Sequence, residues 1–192
     1  MGDVKAIVVA CLALLAACGP NVAASAASPT LPPNWSVRDA AGLRIAAPAA
    51  WLGPEVLPGL ESTGPRAWVV FRDPSGAEAI TLMIWRDATA SSLAASQFDS
   101  ELPKGDPPRQ LTLGEGTQTR IVVAMSGYAQ WSNASGAGTY ECRSLYVQAA
   151  PTLVANVIAC GAHVRGSSTP PPDVRRTQEQ IALRLTIAGG QP

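Results

Sequence analysis

Tyr140–Val164 reads YECRSLYVQAAPTLVANVIACGAHV. Two runs rich in β-branched and aromatic residues, Tyr140–Gln148 and Leu153–Val164, flank a short break at Pro151. That is the pattern of an antiparallel hairpin. A turn centred on Pro151 sets Cys142 directly opposite Cys160. In a non-hydrogen-bonded pair of such a ladder the opposed Cα atoms lie about 4.5 Å apart, within reach of a disulfide. The same register puts Leu145, Val147, Leu153 and Val157 on one face, so a slip of one residue would turn the apolar side outward. Cys142 and Cys160 are therefore expected to form a disulfide; two buried thiols are the alternative. Together with His163 they make too few ligands for a closed zinc site, and no metal is expected.

Working outward, Trp35–Asp39 and Leu43–Ala47 flank an Asp-Ala-Ala-Gly turn, and Pro48 ends the second run. Ala67–Arg72 and Ala79–Arg86 flank Asp73-Pro74-Ser75-Gly76, whose Pro and Gly suit the second and fourth places of a type I turn. The period then changes over Thr89–Leu102: Ala94, Phe98 and Leu102 recur on one face, Ser91 is placed to cap, and Pro103 and Gly105 stop the helix. Gln110–Leu113 and Thr117–Ser126 read as further strands, and Arg165–Pro172 as a loop. Asp173 is expected to cap a last helix carrying Val174, Ile181, Leu185 and Ala188 along one side. This order predicts an α+β fold, an antiparallel sheet with two helices packed on it, in one domain over residues 34–188 with a tail at 189–192. Trp35, Trp51, Trp68 and Trp85 are evenly spaced, but their flanks do not align as a repeat. Core packing is the role expected of them, with a binding groove as the alternative. Arg72, Arg86 and Arg120 are expected to solvate the sheet rim.

The chain has 192 residues, room for about one domain plus tails. Fourteen Lys+Arg balance fourteen Asp+Glu, which argues against a nucleic-acid partner, since that would call for a basic excess. Residues Ala6–Ala17 are continuously apolar. At about 1.5 Å per residue they span roughly 18 Å, short of the bilayer core of about 30 Å, and fit a signal peptide over residues 1–17 instead.

The run closes on Leu15-Ala16-Ala17-Cys18, which resembles the bacterial lipobox. The resemblance implies cleavage before Cys18 and lipidation of its thiol. Gly19, standing where aspartate would favour retention in the inner membrane, leaves outer-membrane sorting open. An ordinary signal peptide cut near Ala23–Ala27 is the alternative. Two acyl chains exceed the single chain that binds only marginally. Residues 18–33 then form a lipid-anchored tether, uncharged, small and Pro-punctuated. An exported domain meets an oxidising space, which favours the disulfide.

Gly42–Trp51 (GLRIAAPAAW) and Val69–Pro74 (VVFRDP), followed by a strand, a helix, a long sheet and a last helix, resemble the PsbP-like fold shared by small export-side lipoproteins of the DcrB type. The resemblance runs over roughly Leu43–Ile187. It implies a domain that binds or assists assembly, with no common catalytic set.

A search for catalytic chemistry finds little. His163 is the single histidine, so a Ser-His-Asp triad would need it; a surface or cap role is expected of it. No G-x-S-x-G is present, and Gly127, Gly136 and Gly138 precede no helix as a phosphate loop would. Glu78, Asp87, Asp99, Glu101, Glu115 and Glu141 are scattered, although a glycosidase pair leaves no local motif. No catalytic residue and no cofactor are expected.

These features together predict a non-catalytic cell-envelope lipoprotein anchored through Cys18. Its domain would lie in the periplasm or outside the cell and bind an envelope protein or small ligand. A hydrolase built on scattered carboxylates or His163, and an immunity or inhibitor lipoprotein, are the alternatives.

Overall fold

The computed structural model describes residues 30–59, 64–75, 78–100, 105–133, 136–161 and 169–189. Along the chain come β1 (Trp35–Ala40), β2 (Leu43–Pro48), β3 (Leu52–Pro58), β4 (Ala67–Arg72), β5 (Glu78–Arg86) and α1 (Ala90–Ser100). They are followed by β6 (Arg109–Glu115), β7 (Gln118–Asn133), β8 (Gly136–Ala150), β9 (Leu153–Cys160), α2 (Pro172–Arg184) and β10 (Thr186–Ile187). The class is α+β and the pairing antiparallel, but the strands form two sheets rather than one. A seven-stranded sheet runs β3-β4-β5-β9-β8-β7-β6, and a three-stranded one runs β1-β2-β10.

At the centre of the larger sheet, β8 and β9 take the expected register, with Cys142 opposite Cys160, Leu145 opposite Val157 and Val147 opposite Ala155. The two sulfurs lie at disulfide-bonding distance and the two Cα atoms are 4.0 Å apart. Gly161 N–H donates to Glu141 C=O at 2.8 Å. The hydrogen-bonded positions thus flank the cysteine pair, which occupies a non-hydrogen-bonded site. Past Gln148 the register shifts as the chain turns. Gln148 stabilises that turn: its Nε2 donates to Ala150 C=O at 2.5 Å and its Oε1 accepts from Ala90 N–H at 2.9 Å. One side chain therefore joins the β8–β9 turn to the start of α1.

Successive residues of a strand face opposite ways, and both faces of this sheet are covered. Val122, Ala124, Leu145, Val147, Ala155 and Val157 pack with β4 and β5, with Leu43, Ile45 and Ala47 of β2, and with Ile181, Ala182 and Leu185 at the end of α2. Val123, Met125, Tyr146 and Val154 alternate with them and pack under Leu93 and Ala94 of α1. Burial on both faces explains why these segments read as apolar runs rather than strict alternations.

β1 and β2 are joined by Ala41-Gly42, both at positive φ (50° and 80°), as a two-residue hairpin loop requires. The corner after Pro48 is organised by Arg38. Its guanidinium donates to the carbonyls of Trp51 (2.9 Å), Gly53 (2.8 Å) and Ala49 (3.0 Å), and lies 5.8 Å from the centre of the Phe71 ring. Trp35 and Trp51 pack partly buried against the main core, and Trp85 does so beneath α1.

Several local expectations are corrected. Thr89, not Ser91, caps α1: Thr89 Oγ1 accepts from Ser92 N–H at 3.2 Å while Ser92 Oγ accepts from Thr89 N–H at 3.3 Å, a reciprocal arrangement like a capping box. Asp173 does not cap α2, whose N-cap is Pro171 with no side-chain bond; it lies in the first turn, where the helix dipole favours its charge. Leu52–Pro58 forms a further strand beyond those expected from the sequence. Arg120 does not solvate the rim. It lies partly buried and donates to Ala182 C=O at 2.9 Å and Leu185 C=O at 2.6 Å, closing the end of α2. Burial pulls its guanidinium below the ordinary arginine value. Residues 1–29, including Cys18 and most of the tether, lie outside the described residues, as do Glu101, Leu102 and His163.

Replacing Arg120 with Met removes a charged donor from two carbonyls, and we expect a loss of about 2 kcal/mol, read as a lower urea midpoint at unchanged slope. The double substitution Cys142→Ala/Cys160→Ala opens a loop of sequence separation 18. It is expected to cost about 3 kcal/mol by the same measurement.

Candidate functional site

The main-core face of the large sheet turns polar toward one end. Along β8 that face reads Val147, Leu145, Arg143, Glu141, and along β7 it reads Val122, Ala124, Ser126, Tyr128. Register pairs Ala124 with Leu145, Ser126 with Arg143 and Tyr128 with Glu141, and places Arg109 of β6 opposite Ala124. The C-terminal half of α2 covers the apolar end. Its first turns, carrying Arg175 and Glu179, reach the polar end.

A shallow pocket of about 90 Å³ opens there, lined by Asp106, Arg109, Ser126, Glu141, Arg143 and Arg175 among others. Asp106, in the loop before β6, forms part of its wall. Asp106 N–H donates to Ser126 Oγ at 2.9 Å, and Ser126 N–H donates to Asp106 C=O at 3.2 Å. Gly105 runs so close over Ser126 that a Cβ there would collide with the Ser126 backbone. The loop is thereby held against β7, ahead of Arg109.

Charges are partly matched. Arg143, with its side chain 18 % exposed, donates through Nη1 to Glu179 Oε1 at 2.7 Å. Arg175 approaches Glu141 at 3.9 Å through Nη2 and donates through Nε to Pro170 C=O at 3.1 Å. Arg109 is exposed and makes no ion pair with a described residue. Beneath them Gln178 is fully buried. Its Nε2 donates to Arg143 C=O and to Val157 C=O, both at 2.8 Å. Its Oε1 meets no donor among the described residues. The amide therefore hooks α2 onto β8, at the backbone of the pocket residue Arg143, and onto β9.

Of the carboxylates singled out in the sequence, Glu141 reaches this pocket, in company with Asp106, which no motif marks. Asp87, Asp99 and Glu115 are exposed elsewhere. Arg109, Arg143 and Arg175 were not anticipated either. They come from two strands and a helix, and no local motif joins them. Among the described residues no three of His, Cys, Asp and Glu gather as a metal site would require.

No protein-family model matches the chain, and no curated protein matches it. A crystal structure of a protein from Bacteroides thetaiotaomicron VPI-5482 superposes with a TM-score of 0.43 at 11% identity, over 83% of this chain and 50% of that one. The chain thus spans half the length of that protein. A likeness so slight carries no argument about function.

Gln178→Glu would replace a double donor with acceptor oxygens aimed at two carbonyls. Burial and those carbonyls disfavour the ionised form, raising the folded-state pKa above the unfolded value of about 4.3. The penalty is absent below that value and grows as pH rises through it. The protonated side chain offers one donor where the amide offered two, so the variant stays below wild type even at pH 4, and urea unfolding should show the stability deficit larger by about 3 kcal/mol at pH 8.

Proposed function

We propose that this chain is a cell-envelope lipoprotein, acylated at Cys18, whose domain is a non-catalytic binding module of PsbP-like fold. One observation carries the reading: an apolar run too short to span a bilayer that closes on Leu15-Ala16-Ala17-Cys18. The cysteine pair facing itself across β8 and β9 supports an oxidising, export-side location. The antiparallel sheet between α1 and α2, with its Arg38-held corner after Pro48, supports the PsbP-like assignment.

The point where the chain enters the domain fits a tethered module. Thr30 C=O accepts from Arg184 Nε at 3.0 Å and Nη2 at 2.9 Å, at the C-terminal end of α2. Burial lowers the pKa of the Arg184 guanidinium from the ordinary arginine value. The pocket lies at the other end of the same helix, where Arg175 stands. The nine residues from Arg175 to Arg184 place the two features about 13 Å apart along the axis. The described chain therefore begins at the end of α2 away from the pocket.

A hydrolase reading has one observation in its favour: Asp106 and Glu141 share the pocket. Three guanidiniums line the same walls, so donors outnumber the two carboxylates there. Binding suits the site better than proton transfer. The immunity or inhibitor reading rests on no feature of the fold.

Bacteria expressing the full chain in labelled palmitate should yield labelled, membrane-associated protein. Cys18→Ser should remove the label and shift the protein to the soluble fraction. Unlabelled wild type, or label retained by the variant, would overturn the lipoprotein assignment.

A further inference from the structure

We propose that the pocket between β6, β7, β8 and α2 binds a singly charged oxyanion group, a carboxylate or a phosphodiester, with Arg109 and Arg143 as its principal donors. The proposal rests on reading the domain as a binding module and names the chemistry of its ligand.

Three guanidiniums line the pocket, each with five N–H donors. The described contacts use few of them. Arg143 is engaged at Nη1 by Glu179, and Arg175 at Nε by Pro170 C=O and at Nη2, at 3.9 Å, by Glu141. Arg109 stands across β7 from Arg143's strand without an ion pair among the described residues. A guanidinium presents its donors as a planar fork that fits carboxylate and phosphate oxygens two at a time. Ser126, nearly buried, accepts from Asp106 N–H through Oγ, and its hydroxyl proton remains to donate. The pocket is therefore rich in donors that a ligand with paired acceptor oxygens would satisfy.

Charge and size narrow the class. With Glu179 bonded to Arg143, three arginines meet three carboxylates, and Arg109 is the guanidinium of the three without an ion pair among the described residues, a partner that a monoanion would supply. The pocket, at about 90 Å³, is small and open to solvent, so it suits a head group rather than a whole large ligand. The remainder of a larger ligand would lie outside, past Tyr128, which pairs with Glu141 and is exposed on the rim. The long Arg175–Glu141 approach marks Glu141 as the carboxylate that an arriving anion would displace from Arg175.

The test uses the purified full-length protein at constant ionic strength, titrated with acetate and, separately, with dimethyl phosphate, following arginine side-chain Nε–Hε signals by NMR. Saturable shifts at Arg109 and Arg143 are expected. Acetate alone would identify a carboxylate ligand, and dimethyl phosphate alone or more tightly a phosphodiester. Arg109→Gln, at an exposed position that leaves the fold intact, should weaken binding at least about tenfold, the loss of one charge-assisted contact. Asp106→Asn should tighten it, and Arg44→Gln, on the other sheet, should leave it unchanged. Non-saturating shifts with both anions, or equal affinity in Arg109→Gln, would overturn the proposal. Palmitate labelling reads residue 18 alone, so the anchor and the pocket stand or fall separately.

Discussion

The rest of the molecule depends on one pairing, the register of β8 against β9. Side chains alternate across a sheet, so this register decides which residues meet α1 and which meet α2. With Cys142 opposite Cys160, the odd-numbered residues Leu145, Val147, Ala155 and Val157 form the floor of the main core, while Tyr146 and Val154 go under α1. Gln178 then hooks α2 to carbonyls on both strands. Displaced by one residue, the pairing would put the cysteines out of bonding reach and the main-core residues on the wrong face. Crosslink, apolar pattern and helix hook all select the same arrangement, and such agreement between levels is what gives a sequence one structure.

The candidate site grows out of that register. One sheet face passes from Leu145 to Arg143 to Glu141 and from Ala124 to Ser126 to Tyr128, so the apolar core and the charged pocket are successive stretches of a single surface. α2 spans both. Its last turns, with Ile181, Ala182 and Leu185, are buried. Its first turns place Arg175 and Glu179 over the polar stretch. Arg120 and Arg184 hold the far end of the helix, the first by bonds to its last carbonyls and the second by fixing the incoming chain at Thr30. Movement of α2 would therefore be felt at the pocket.

Much of the fold was legible because local chemistry and long-range pairing agree. Ala41-Gly42, Asp73-Pro74 and Pro151 mark turns, and the strands on either side of each are apolar enough to be recognised. β3 escaped because Gly53, Pro54 and Pro58 break its pattern and its exposed Leu52, Val56 and Leu57 follow no burial alternation. Proline and a register shift are what an edge strand carries to discourage further pairing. The second sheet escaped because β10 is two residues long, and only its pairing with Leu43 and Arg44 reveals it. Arg120 was misread because a strand position does not disclose that a helix end lies above it. The pocket was invisible for a related reason. Asp106 and Arg109 lie far in the chain from Arg143 and from Arg175, and their meeting follows from sheet order and helix placement, which no spacing encodes.

The β8–β9 register can be read from cross-strand NMR contacts between Hα protons. Non-hydrogen-bonded pairs bring opposed Hα atoms together. The account predicts strong Hα–Hα contacts for Cys142 with Cys160, Ser144 with Ile158 and Tyr146 with Asn156. Contacts instead between Cys142 and Ala159, or between Ser144 and Val157, would mean a one-residue slip and would contradict both the fold and the pocket built on it.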